Sequence, residues 1–383
     1  FRVNVFLENS GSMFGYVKNI TRFETAIYSI LADFKTGSNF CKELNLHYIN
    51  CEIPFQKKNA LPEDIQDFIQ KLEPNTFREK GGNCSSSDLA EILKKVLNQT
   101  NDSTVSMLVS DFVFSPDAKS KLQSSDFLTN QSIAIKMAVK SKLNETKDLT
   151  ILILALDSQF DGNYYDQTGK AIPLKTDRPY YIWFMGSRAQ IKTLIDQNFI
   201  QNIKGNVNHQ LLLSADYGVP AKASLLTRGS NNGWDYQVSS EPNKNKIIKA
   251  EANSNKEFAF RIGFNFQDCI LPEDFLADSQ HYSIQPKTFT VTTIQKSESS
   301  KRYTHILELK TKQLKSGKVQ LQMNYSLPAW IQKVNTLDDT KMANDPAIQK
   351  KTFGLGLVLE GVYEAFHQNQ TGIQKYDFEI EKD

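Results

Sequence analysis

The spacing of apolar residues changes near residue 205, and that change divides the chain. Before it, short apolar runs at residues 3–7, 44–50, 105–109, 149–156 and 180–185 read as strands. Stretches of helical period lie between them. Thr21-Arg22-Phe23-Glu24 has the form of a capping box, and Phe23, Ile27, Ile30, Leu31 and Phe34 then recur on one helical face until Gly37. Pro62 opens a second helix, Leu89, Ile92, Leu93, Val96 and Leu97 stripe a third, and residues 133–143 and 188–199 complete the set. Strands alternating with helices predict an α/β domain with a doubly wound, mostly parallel, Rossmann-like sheet. Residues 149–156 are the most apolar strand, so a central place is expected for them, and Asp161-Gly162-Asn163 reads as the turn that follows.

Beyond residue 205 the period is two. Residues 210–214, 221–227, 234–239, 258–266, 289–294, 304–311 and 319–325 read as strands separated by polar, glycine-containing turns, which predicts an antiparallel β-sandwich. Residues 334–349 read as a surface connection. Residues 352–366 form a helix apolar around most of its circumference, which needs cover on several sides, and residues 376–380 read as an edge strand. The expected domains are therefore 1–205, 206–333 and 334–383.

The candidate site begins where the first strand stops. Val3, Val5 and Leu7 alternate up to Glu8, and Asn9-Ser10-Gly11-Ser12 cannot extend the strand. In a parallel sheet ligands bind outside the carboxyl ends of the strands, so Glu8, Ser10 and Ser12 stand at such an end. One carboxylate and two hydroxyls at alternate positions make a hard oxygen set suited to Mg²⁺ or a similar cation. Two further loops reach the same crest. Gly81-Gly82-Asn83-Cys84-Ser85-Ser86-Ser87-Asp88 runs into the third helix, and Ser110-Asp111 follows residues 105–109. Read one at a time, these residues have ordinary roles: Ser85 with Asp88 caps a helix and Asp111 starts a turn.

Taken together the three loops resemble those of the von Willebrand factor type A domains, whose metal-ion-dependent adhesion site begins Asp-x-Ser-x-Ser after the first strand. Ser10, Gly11, Ser12 and Met13 match that motif, and Glu8 stands where the family has aspartate. The resemblance covers residues up to about 205. It implies a metal centre made of Glu8, Ser10, Ser12, Ser87 and Asp111, with Ser85 and Ser86 as alternatives to Ser87. It further implies Mg²⁺, Mn²⁺ or Ca²⁺ as the ion, and a partner protein whose acidic side chain completes the coordination.

Composition narrows the remaining classes. With Lys+Arg 45 against Asp+Glu 43 spread along 383 residues, there is no basic footprint for nucleic acid or an anionic membrane. No apolar run approaches the roughly 20 residues of a membrane span. Cys41, Cys51, Cys84 and Cys269 lack C-x-x-C spacing, which argues against zinc and a disulfide framework and leaves one disulfide open. Asp157, Asp161, Asn163 and Asp166 lack the full ligand spacing of a calcium loop and read as a solvated hairpin. There is no G-x-S-x-G, P-loop or G-x-G-x-x-G, and none of the five histidines has a general-base context.

Binding is thus expected rather than turnover: a non-enzymatic, adhesion-type module in a bacterial envelope or surface setting, with any targeting segment removed or lying outside these residues. Two alternatives stay open. One is an A-type assembly subunit whose metal site has degenerated, and the other is a metal-dependent hydrolase.

Overall fold

Val3, Val5, Phe6 and Leu7 are fully excluded from solvent, so both faces of the strand they form, β1 (Arg2–Glu8), are covered, and strands pair with both of its edges. The computed structural model describes residues 1–37, 39–82, 88–114, 124–227, 235–240, 245–297, 302–368 and 371–383. After β1 come α1 (Arg22–Ala32), β2 (Glu43–Ile49), β3 (Gln56–Lys57), α2 (Pro62–Ile65), α3 (Pro74–Glu79), α4 (Leu89–Asn98) and β4 (Thr104–Ser110). Then follow α5 (Ser124–Glu145), β5 (Leu149–Tyr165), β6 (Ala171–Ser187), α6 (Arg188–Asp196) and β7 (Val207–Ser214). The next stretch carries β8 (Ser224–Leu225), β9 (Asp235–Val238), β10 (Lys246–Glu251), β11 (Phe258–Phe264), α7 (Glu273–Ala277), β12 (Tyr282–Gln285), β13 (Phe289–Lys296), β14 (His305–Thr311) and β15 (Gly317–Asn324). The chain ends with α8 (Trp330–Val334), β16 (Asn335–Thr336), α9 (Pro346–Gln349), β17 (Thr352–Phe353), α10 (Leu355–His367) and β18 (Gly372–Lys382).

The chain folds into two units, Phe1–Asp216 with Leu327–Gln368, and Tyr217–Ser326 with Asn369–Asp383. In the first, seven strands are ordered β3-β2-β1-β4-β6-β5-β7. Only β1/β2 and β1/β4 are parallel; β2/β3, β4/β6, β6/β5 and β5/β7 are antiparallel. The sheet is therefore mixed, where the alternation of helices and strands predicts one mostly parallel. The reason is local. β5 and β6 are each 17 residues long and are joined by a short turn, which forces them antiparallel. Asp166 makes that turn, its carboxylate accepting from the Thr168 and Lys170 N–H groups at 2.9 and 3.0 Å.

Asp161-Gly162-Asn163 lies inside β5 and is not the turn. Gly162 is there for close approach, since a Cβ on it would stand 2.7 Å from the Gly15 Cα. The strand expected at residues 210–214 is β7, which pairs with β5 in this sheet and not with the later strands. The first unit accordingly runs to Asp216, past the expected boundary at 205.

The capping box at Thr21 and Glu24 forms as its spacing predicts. α10 packs along α5: the Ser132 hydroxyl donates to the Leu357 carbonyl at 2.8 Å, and Lys136 pairs with Glu364 at 2.6 Å. Gly361 permits the approach, for a Cβ there would stand 2.5 Å from the Ser132 carbonyl oxygen. Alanine favours a helix over glycine by about 1 kcal/mol, yet overpacking against backbone costs about 1–3 kcal/mol. Gly361→Ala is expected to lower the thermal midpoint; an unchanged or raised midpoint would show that the two helices part at no cost.

The second unit holds a five-stranded sheet, β12-β15-β18-β10-β9, and a four-stranded sheet, β13-β14-β11-β8. Most pairings are antiparallel, and β10/β18 is parallel. Aromatic contacts join the sheets, Phe260 with Phe378 at 5.9 Å and Phe264 with Tyr376 at 4.8 Å. β18 lies between β15 and β10, so the last strand is internal, not an edge. Its partner β10 carries no strong alternation in the sequence, which leaves β18 looking like an edge until the two are paired.

Candidate metal centre at the carboxyl ends of β1 and β4

β2 and β4 flank β1 on opposite sides, so the crest between β1 and β4 is where the strand order reverses. Glu8 ends β1 and Ser110 ends β4, and the Ser110 hydroxyl donates to Glu8 Oε2 across that gap. The Ser10 hydroxyl donates to Glu8 Oε1 at 2.6 Å, and Ser10 Oγ lies 3.1 Å from Ser12 Oγ. Ser12 also stands near enough to Asp111 to favour its charged form. Ser110, Glu8, Ser10 and Ser12 thus form a hydrogen-bonded run of oxygens beside Asp111, and none of Glu8, Ser10, Ser12 and Asp111 is more than 6% exposed.

The turn after β4 aims Asp111. Phe112 adopts φ 51°, a left-handed conformation costing roughly 1 kcal/mol in a residue with a Cβ. Its ring stacks on Trp183 at 4.6 Å, and its N–H donates to Ser110 Oγ at 2.8 Å. The Val113 N–H donates to Asp111 Oδ1 at 3.2 Å. Burial pushes the Asp111 carboxyl above its ordinary range, the Glu8 charge adds to this, and the Arg178 guanidinium opposes it.

The second loop is anchored at its start. Asn9 donates to the Gly81 carbonyl at 3.2 Å, and Asn50 donates to Asn9 Oδ1 at 2.9 Å. Gly81 and Gly82 have φ of 93° and 84°, and a Cβ on Gly82 would stand 2.6 Å from the Asn50 amide. Both glycines are needed for this bend. Cys84, Ser85, Ser86 and Ser87 lie outside the described residues. Asp88 is the helix cap, accepting from the Glu91 N–H at 3.1 Å.

Three residues of the site escaped the sequence reading. Ser110 was seen only as a strand end, and Asn50 needed the rule about strand ends applied to β2. Arg178 had no signal, because one arginine in a long strand normally points to solvent. It is 1% exposed, donates to the Gln349 carbonyl at 2.8 Å and the Lys351 carbonyl at 3.4 Å, and lies 4.4 Å over the Tyr164 ring. The aspartates weighed as a calcium loop take separate partners: Asp157 pairs with Arg22, Asp161 with Lys18 and Lys175, and Asp166 closes its turn.

The donor set fits a hard divalent cation. Its atoms are carboxylate and hydroxyl oxygens, and two carboxylates buried beside one another leave negative charge that a cation would offset. Among the described residues no three His, Cys, Asp or Glu side chains gather to hold a metal, so serine hydroxyls must complete any shell. Cys41 is a free thiol. No helix among the described residues is long and apolar enough to cross a membrane.

Comparison with protein-family models, curated proteins and solved structures gives no match to this chain. What the coordinates define is a two-unit protein: a mixed α/β unit with a polar cluster at its strand ends, and a unit of mainly antiparallel sheets.

Proposed function

We propose that the first unit is a von Willebrand A-like, non-enzymatic binding module, in which Glu8, Ser10, Ser12 and Asp111 hold a divalent cation that engages an acidic side chain of a partner protein. The observation that carries this is the cluster of buried carboxylate and hydroxyl oxygens at the switch point between β1 and β4, where Ser110, Glu8, Ser10 and Ser12 are hydrogen-bonded beside Asp111. Ser87, on the loop begun by Gly81 and Gly82, is the proposed contribution of the second loop. When bound, the cation would supply an electrophilic coordination position for the partner's carboxylate. The protein's part is to orient the donors: Ser110 holds Glu8, the Val113 N–H holds Asp111, and Asn9 with Asn50 anchors the second loop.

A second reading rests on a specific feature. Both Glu8 oxygens already accept serine hydroxyls, so the cluster is also complete as a cation-free structural plug. Calorimetric titration of chelator-stripped protein with Mg²⁺ and Mn²⁺ separates the two. Saturable binding is expected for the wild type, weakened on the order of tenfold or more in Ser12→Ala and Asp111→Asn. A folded wild type that takes up neither ion overturns the metal reading and leaves the plug.

A further inference from the structure

A second feature of the same crest lies on its other flank. Ser110, Tyr181, Ala155 and His209 stand side by side across β4, β6, β5 and β7. Over β6, β5 and β7 a cavity of about 440 Å³ opens, its lining beginning at Tyr181. This is within the roughly 300–1,000 Å³ of small-molecule sites. Nothing in the metal reading uses it.

Its walls carry charge of both signs. Asp157 and Asp177 line the cavity, and Arg22, which does not line it, braces both carboxylates at 3.4 and 2.8 Å. Asn208 donates to the second oxygen of Asp157 at 3.1 Å. One guanidinium against two carboxylates leaves a net negative charge facing the cavity. Lys350 also lines it and makes no ion pair among the described residues, with these carboxylates or any other. A negative and a positive pole therefore face one space without neutralising each other.

Between the poles the surface is apolar. Leu156, Pro179 and Val334 contribute aliphatic area. The His209 ring lies flat on Trp330, at 4.9 Å with 4° between planes, so its orientation is set by packing. Burial and then the nearby Lys333 charge push the His209 imidazole below its ordinary range, so at neutral pH it offers a flat uncharged wall.

A ligand that satisfies all of this needs an ammonium for the aspartates, a carboxylate for Lys350 and an apolar body between them. We propose that this cavity is a binding site for a zwitterion of amino-acid to dipeptide size. The positive end meets Asp157 and Asp177, the negative end meets Lys350, and the side chain lies against His209 and the aliphatic wall. Arg22 and Asn208 act as positioning residues by holding the carboxylates.

The test uses the full chain in chelator, so its outcome does not depend on the metal centre. L-leucine and glycyl-L-leucine are the probes, with N-acetyl-L-leucine and L-leucinamide as analogues that each lack one charge. Calorimetry is expected to show saturable binding of at least one zwitterion, with each analogue weaker on the order of tenfold or more. Lys350→Ala is expected to weaken the zwitterion while leaving L-leucinamide unchanged, and Asp177→Asn to weaken the zwitterion while leaving N-acetyl-L-leucine unchanged. Both residues are exposed or half-exposed, so both variants should fold. No saturable binding of either zwitterion, equal binding of the analogues, or indifference to both substitutions would each overturn the proposal.

Discussion

Arg178→Met is expected to destabilise the first unit by about 3 kcal/mol or more, the scale for removing one partner from a buried charged network. The guanidinium is 1% exposed and joins three things. It bonds the carbonyls of Gln349 and Lys351, stacks on Tyr164, and lies close enough to Asp111 to oppose the upward push on that carboxyl. Methionine of similar length fills the space, so the loss would come from two unbonded carbonyls and from the carboxylates left without a nearby cation. Arg178→Lys should recover only part, because one ammonium cannot reach both carbonyls in the same fork. Urea unfolding followed by tryptophan emission reads this, since Trp183 and Trp330 both belong to the first unit. A midpoint shift worth less than about 1 kcal/mol would mean that the segment around β17 is held by other contacts.

The second large effect concerns acid. His47 is 6% exposed, stacks on Phe6 at 4.8 Å, and neither of its ring nitrogens has a hydrogen-bond partner among the described residues. Burial pushes its imidazole down to about 4. In the unfolded chain the same ring takes its proton near 6.5, so between pH 6.5 and 4 the unfolded state binds more protons than the folded one. Stability is therefore lost as pH falls through that window, and the loss levels off below about 4. At about 1.4 kcal/mol per pH unit this amounts to about 3 kcal/mol.

Glu24 works in the opposite sense. Burial raises its carboxyl to about 7, so its contribution declines as pH rises from 4.5 to 7. The comparison of His47→Leu with wild type across pH 4–7 isolates the imidazole, because Glu24 is common to both. The variant's advantage should widen as pH falls; an advantage that stays constant would show that His47 is protonated without cost.

Much of the first unit was legible in the sequence because its signals are local. The capping box at Thr21 and Glu24, the apolar face of α4 and the strand ending at Glu8 each depend on residues within one or two turns of one another. Glu8, Ser10, Ser12 and Asp111 could be singled out because strand ends are readable and strand ends of a shared sheet face one crest. The paired direction of β6 and β5 was not legible. Asp161-Gly162-Asn163 has the composition of a turn, and what overrides it is Gly15, which is distant in sequence and demands a glycine opposite. A turn signal and a close-approach signal use the same residue.

The sequence by itself determined most strands and helices of the first unit up to Asp196, that apolar spacing shifts partway along the chain, and which hard-oxygen side chains sit at the first strand's end. These follow from side-chain size, branching and local hydrogen bonding. Only the tertiary structure decided that β7 completes the first sheet, that β18 is an inner strand, and that Arg178 turns inward beneath Asp111. Each of those depends on a partner distant in sequence: Thr150 in β5 meets Ser214 in β7, Arg178 donates to the Gln349 and Lys351 carbonyls, and β10 receives β18 from far along the chain. Pairing energy of that kind is set by whichever surface is left uncovered when the chain comes back, and no local pattern records it.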